Sequence, residues 1–109
     1  MEELEELQES ETIIEKVKGD YWEKFLFTYE QKRGEFTITD KRIIFKGGFA
    51  TTFSINYEDI ESVTKCNVGP LMRFIPTGIS IKLKDKKEYR MSVLGRDKYI
   101  EIIQSRLNK

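Results

Sequence analysis

At 109 residues, with 39% apolar and 12% aromatic content, the chain is one domain with enough apolar material for a packed core. A chain of this size buries roughly two thirds of its unfolded surface, so wholesale disorder is excluded, and no run approaches the about 18 apolar residues of a membrane-spanning helix. The formal net charge is zero and there is no His, which removes the usual general base near neutral pH and the commonest metal ligand.

The zero net charge hides an asymmetry. Residues 1–11 carry six Glu and no Lys or Arg, which leaves all 19 basic groups in residues 12–109 against 13 of the 19 acidic ones. Leu4 and Leu7 lie at i, i+3 within this acidic run, a pattern for a flexible arm or a short helix that is not stable alone in water. The acidic N-terminus lacks the basic-then-apolar order of a signal peptide, so a cytoplasmic location is the expectation. The single Cys66 has no internal disulfide partner and reads as a small buried or edge hydrophobe.

From Thr12 onward the apolar residues recur every second position, the signature of strands. Residues 12–18 read as one strand, with a turn near Gly19-Asp20, and Phe25, Phe27 and Tyr29 alternate in the next. The segment Gly34-Glu-Phe-Thr-Ile-Thr-Asp-Lys-Arg-Ile-Ile-Phe-Lys46 is a tight hairpin. With Asp40 and Lys41 as a two-residue loop, Ile38 faces Ile43 and Phe36 faces Phe45. That register gathers the apolar side chains on one side and leaves Thr37, Thr39, Arg42 and Ile44 on the other. Gly47-Gly48 marks a further turn, after which Phe49, Thr51, Phe53, Ile55 and Tyr57 alternate with small or polar residues. Tyr57-Glu-Asp-Ile60 reads as a single helical turn leading into a strand around 61–68. Gly69-Pro70 and Pro76-Thr77-Gly78 bracket a loop, Leu71-Met-Arg-Phe-Ile75. A three-residue turn at Asp85-Lys86-Lys87 then pairs Leu83 with Tyr89, Ile81 with Met91 and Ile79 with Val93, again uniting apolar residues on one face. After Gly95 the period becomes helical: Tyr99, Ile100, Ile103 and Leu107 form one apolar stripe, suited to closing the open end of a strongly bent sheet.

Seven strands and one C-terminal helix, with the stretches 34–46, 53–63 (FSINYEDIESV), 77–93 (TGISIKLKDKKEYRMSV) and the helix 96–107, resemble the GRAM domain and its bacterial pleckstrin-homology-like relatives. The resemblance implies a pleckstrin-homology-like barrel: seven antiparallel strands in two near-orthogonal sheets, capped by the helix. The domain would span 12–109, behind an arm at 1–11. It also implies an adaptor module that binds anionic lipids or protein segments. In that family, lipid binding uses basic residues around the first strand-strand turn; here Lys16, Lys18 and Lys24 are available, with Asp20 and Glu23 between them.

Catalysis finds no support. A lone Cys without His makes no nucleophile-base pair, Gly47-Gly48 and Gly69-Pro70 are turn signals and not phosphate-binding loops, and no metal or cofactor is expected. Two binding surfaces are. The first is a basic strand face formed by Lys82, Lys84, Lys86, Lys87 and Arg90, in which the expected register puts Lys82 directly opposite Arg90. The second is a membrane or partner tip of Leu71, Met72, Arg73, Phe74 and Ile75, whose apolar side chains either insert into a partner or fold back over the barrel end. The partner is an anionic membrane surface, met peripherally on its inner face, or an unidentified protein, with self-assembly included. Nucleic acid is not expected, because the aromatics alternate on core faces and do not interleave with exposed basic residues. The acidic arm could fold across the basic strip and weaken its anion binding.

Overall fold

The computed structural model describes residues 11–25, 28–48, 51–69 and 75–107. Strands β1 (Ile13–Phe25), β2 (Thr28–Thr39), β3 (Arg42–Gly47) and β4 (Thr52–Asn56) are followed by one 3-10 turn, Tyr57–Asp59. Then come β5 (Ile60–Val68), β6 (Ile75–Leu83), β7 (Glu88–Val93) and the helix α1 (Arg96–Leu107). All neighbouring strands are antiparallel. They form one continuous sheet in the order β4-β3-β2-β1-β7-β6-β5, where two near-orthogonal sheets were expected. The sheet is strongly curled. Phe53 on β4 and Tyr89 on β7 lie four strands apart, about 19 Å across a flat sheet, yet their rings stack at 4.7 Å.

The hairpin at 34–46 has the register its alternation predicts, with Phe36↔Phe45 and Ile38↔Ile43. All four side chains are essentially inaccessible to solvent. They join Ile55, Ile79, Ile81, Met91 and Val93 in the concave core, which Tyr99, Ile100 and Ile103 of α1 close. Side-chain hydrogen bonds fix the helix to β5: Arg96 Nη1 donates to the Cys66 carbonyl at 3.0 Å and Gln104 Nε2 to the Val63 carbonyl at 2.9 Å.

Three expectations are corrected. Gly19-Asp20 is no turn: β1 runs straight through it and pairs with β2 up to Phe25↔Thr28, so Phe25 and Tyr29, expected on one strand, lie on β1 and β2. Gly19 is there because the backbones approach closely. A Cβ on it would stand 2.6 Å from Val93 Cγ1 and closer still to the Ser92 carbonyl oxygen. It faces Gly34, which faces Gly47, and this row of three residues without side chains lets the sheet bend over Phe36 and Phe45. Second, Pro76-Thr77-Gly78 lies within β6. Between the pairs Cys66↔Gly78 and Val68↔Ile75, Pro76 and Thr77 oppose Asn67 alone, a bulge that tolerates the missing proline N–H.

Third, the β6–β7 hairpin is displaced by two residues from the expected register: Ile81 pairs with Tyr89 and Ile79 with Met91. The loop is Lys84-Asp85-Lys86, closed by Leu83 N–H donating to the Lys87 carbonyl at 2.8 Å and Lys86 N–H to the Leu83 carbonyl at 3.0 Å. Lys86 takes the left-handed conformation, φ 80°, and the Asp85 carboxylate accepts from the Lys87 N–H at 3.0 Å. A two-residue displacement keeps every side chain on its face, so the apolar pattern alone does not distinguish the two registers.

Candidate binding surface

The sheet end that carries the β6–β7 turn also carries the end of β1 and the start of β2. Between them lies a cleft of about 410 Å³ whose lining includes Trp22, Lys24, Tyr29, Lys86, Glu88 and Arg90. Trp22 projects from the convex side of β1 but is only 5% exposed, and its Nε1 donates to Ser92 Oγ at 3.1 Å. The Arg90 guanidinium lies 5.4 Å from the Tyr29 ring centroid, within cation–π range.

Electrostatics divide the cations into occupied and unoccupied ones. Arg90 Nε donates to the Glu88 carboxylate at 3.1 Å, and the Ser80 hydroxyl donates to the same oxygen. Burial is the largest single influence on Glu88 and opposes its ionisation. The Ser80 hydroxyl, Arg90 and Lys82 together outweigh burial and hold the carboxyl below its usual range. Glu23 and Glu30 share Lys32, at 4.0 and 3.4 Å. Among the described residues, Lys24 and Lys86 form no ion pair, and both border the cleft.

The expected basic strip is thus not one surface. Lys82 stands opposite Glu88, and Arg90 opposite Ser80, so no like-charge pair exists. Lys86 and Arg90 enter the cleft. Lys84 borders a different cleft of about 770 Å³ with Lys41, Arg42 and Arg106, and its N–H donates to the Asp59 carbonyl at 2.9 Å. Lys87 is exposed beside the turn. Of Lys16, Lys18 and Lys24, only Lys24 lies beside the last β1–β2 pair, Phe25↔Thr28. In the expected tip, Leu71, Met72, Arg73 and Phe74 lie outside the described residues, and Ile75 begins β6.

One polar cluster had no warning in the sequence. The side of the β2–β3 hairpin opposite the concave core is buried at the turn: Thr39 is 0% and Arg42 6% exposed. Glu11 covers them. Its carboxylate accepts from Arg42 Nε at 2.9 Å and from the Thr39 hydroxyl at 2.6 Å. The Tyr57 hydroxyl donates to the Thr39 carbonyl at 2.6 Å. Glu11 therefore belongs with the folded body and engages the β2–β3 turn, not the basic strip; residues 1–10 lie outside the described residues. Thr39 three residues before Arg42 is a local hint of a turn network, but a carboxylate 31 positions from its guanidinium carries no sequence signal.

Among the described residues there is no group of His, Cys, Asp and Glu that could hold a metal ion, and no helix is long and apolar enough to cross a membrane. No curated protein matches the chain. Among solved structures, it is similar to the C-terminal domain of an unknown protein from Leishmania infantum. The two share 22% identity at a TM-score of 0.75, over 91% of this chain and 86% of that one, a likeness of fold. The family model of the GRAM domain matches residues 1–109. By that match over its whole length, the chain belongs to the GRAM domain family.

Proposed function

We propose that this GRAM domain is a membrane-docking module that meets anionic lipid with the sheet end that carries the end of β1, the start of β2 and the β6–β7 turn. GRAM domains are binding modules for membranes or proteins and are generally non-enzymatic. The observation that carries the lipid reading is the convergence of Lys24 and Lys86, neither in an ion pair among the described residues, on one cleft whose third cation, Arg90, is held in place by Glu88 and Tyr29. Lys87 adds charge at the same turn. Lys82 sits opposite Glu88 and Lys84 borders the other cleft, so both are peripheral to the contact. Each Lys held near an anionic surface contributes about 1 kcal/mol, so binding is weak, salt-sensitive and peripheral, on the cytoplasmic side of the membrane.

Flotation with neutral and with phosphatidylserine-containing vesicles, at low and at physiological salt, tests this reading. Binding to anionic vesicles only, lost in Lys24→Glu/Lys86→Glu and kept in Lys84→Glu, supports it. Equal flotation of the first variant and the wild type, or no flotation at low salt, refutes it.

A further inference from the structure

The two edges of the sheet are built differently. At the β5 edge, Arg96 and Gln104 of α1 donate to the carbonyls of Cys66 and Val63, and Lys65 pairs with Asp97 of the helix at 3.2 Å. A helix and charged side chains thus cover that edge, the usual protection against unwanted strand pairing. At the other edge, β4 has no such cover among the described residues: Thr52, Ser54 and Asn56 are exposed. Nor does it carry charge or proline. Residues 47–57 form the longest run in the chain without Asp, Glu, Lys or Arg, in a protein that is 35% charged. The β3–β4 ladder shows no bulge.

The direction of the backbone groups on β4 follows from its ladder with β3. Gly47 N–H donates to the Thr51 carbonyl at 2.7 Å. Hydrogen-bonded and non-hydrogen-bonded pairs alternate along an antiparallel ladder, so Phe53 and Ile55 bond to Phe45 and Ile43 on β3. The N–H and C=O groups of Thr52 and Ser54 and the N–H of Asn56 therefore point away from the sheet, where no strand lies among the described residues, while the Asn56 carbonyl accepts the first bond of the 3-10 turn.

We propose that this edge pairs with the β4 edge of a second copy of the chain, antiparallel about a two-fold axis at Ser54. In that register Ser54 faces Ser54 of the second copy, Thr52 faces Asn56, and Phe53 faces Ile55. Ser54 exchanges both backbone bonds with Ser54 of the second copy, the Asn56 N–H meets the Thr52 carbonyl, apolar residues stay on the concave side of both sheets, and no charge meets a like charge. The strand is its own complement. A two-fold, isologous contact is also the commonest way a single chain closes on itself. The proposal is independent of lipid binding, which uses a different end of the sheet.

Sedimentation analysis of the full chain from micromolar to millimolar concentration tests it. The expected result is a mass rising with concentration from 12.9 kDa toward twice that value. Ser54→Pro removes only an N–H that points away from β3, so it should keep the far-ultraviolet spectrum and melting temperature and remain monomeric throughout. Ser54→Lys, which opposes two lysines on the axis, should do the same. In a Cys66→Ser background, Ser54→Cys places two thiols on residues whose Cα atoms stand about 5.5 Å apart, inside disulfide range, whereas Thr52→Cys does not. Mild oxidation should cross-link the first and not the second. A constant monomer mass for the wild type would overturn the proposal and leave the edge to a strand from a different protein. A dimer that survives in both folded Ser54 variants would overturn it by placing the contact elsewhere.

Discussion

Glu11 and Arg42 form a nearly dry ion pair: Arg42 Nε lies 2.9 Å from Glu11 Oε2, with side-chain exposures of 8% and 0%. The pair ties the start of the folded chain to the β2–β3 turn. Removing one partner takes from a buried charge its ion pair, which costs more than the intact pair is worth. Glu11→Ala is expected to destabilise the domain by roughly 3 kcal/mol, on the order of 12 °C in melting temperature. The double variant Glu11→Ala/Arg42→Met should recover part of that loss. Thermal unfolding of both proteins checks this, and a double variant less stable than Glu11→Ala would contradict it.

Tyr57 packs beneath the same turn, and its hydroxyl is pushed up to about 12. Burial is the main cause; nearby Arg106 opposes the shift, while Asp40 and Glu11 add to it. Tyr21 is likewise pushed up to about 12, first by burial and then by Glu23 and Tyr89. A phenol whose folded value lies above its unfolded value of about 10 stabilises the fold fully below pH 10. That contribution is lost as pH rises through the folded value. Denaturant midpoints should therefore fall between about pH 10 and pH 12, and Tyr57→Phe should flatten the fall. An unchanged slope in that variant would show that Tyr57 is not responsible.

The glycines differ in what they tolerate. Gly19→Ala drives a methyl against the Ser92 carbonyl and the Val93 side chain, and should cost about 1–3 kcal/mol or more, since backbone must move. None of the described residues lies within 4 Å of a Cβ built on Gly48, so Gly48→Ala should be neutral or slightly stabilising. Chemical denaturation of the two variants side by side gives the comparison; equal losses would contradict the close approach at Gly19.

Sequence periodicity by itself determined β3, β4, β5 and β7, the hairpin at Asp40-Lys41, the 3-10 turn at Tyr57 and the apolar stripe of α1, but it broke β1 at Gly19-Asp20 and put Phe25 and Tyr29 on one strand. Each is set by the local alternation of apolar and polar residues, or by a turn only two or three residues long. Whatever depends on which strands meet was decided only by the tertiary structure. Gly19 reads as a turn in isolation and is a strand residue because Ser92 and Val93 press against it from β7. Lys82 reads as a neighbour of Arg90, yet it pairs with Glu88 because a two-residue displacement preserves both faces and leaves the apolar pattern silent. The candidate surface follows the same division. Lys86 and Arg90 were visible as basic residues, but Lys24 joined them, and Lys84 left them, only when a curled sheet brought β1 beside the β6–β7 turn. Glu11 lies furthest from legibility, because a buried ion pair between residues 31 positions apart exists only once the chain between them has folded.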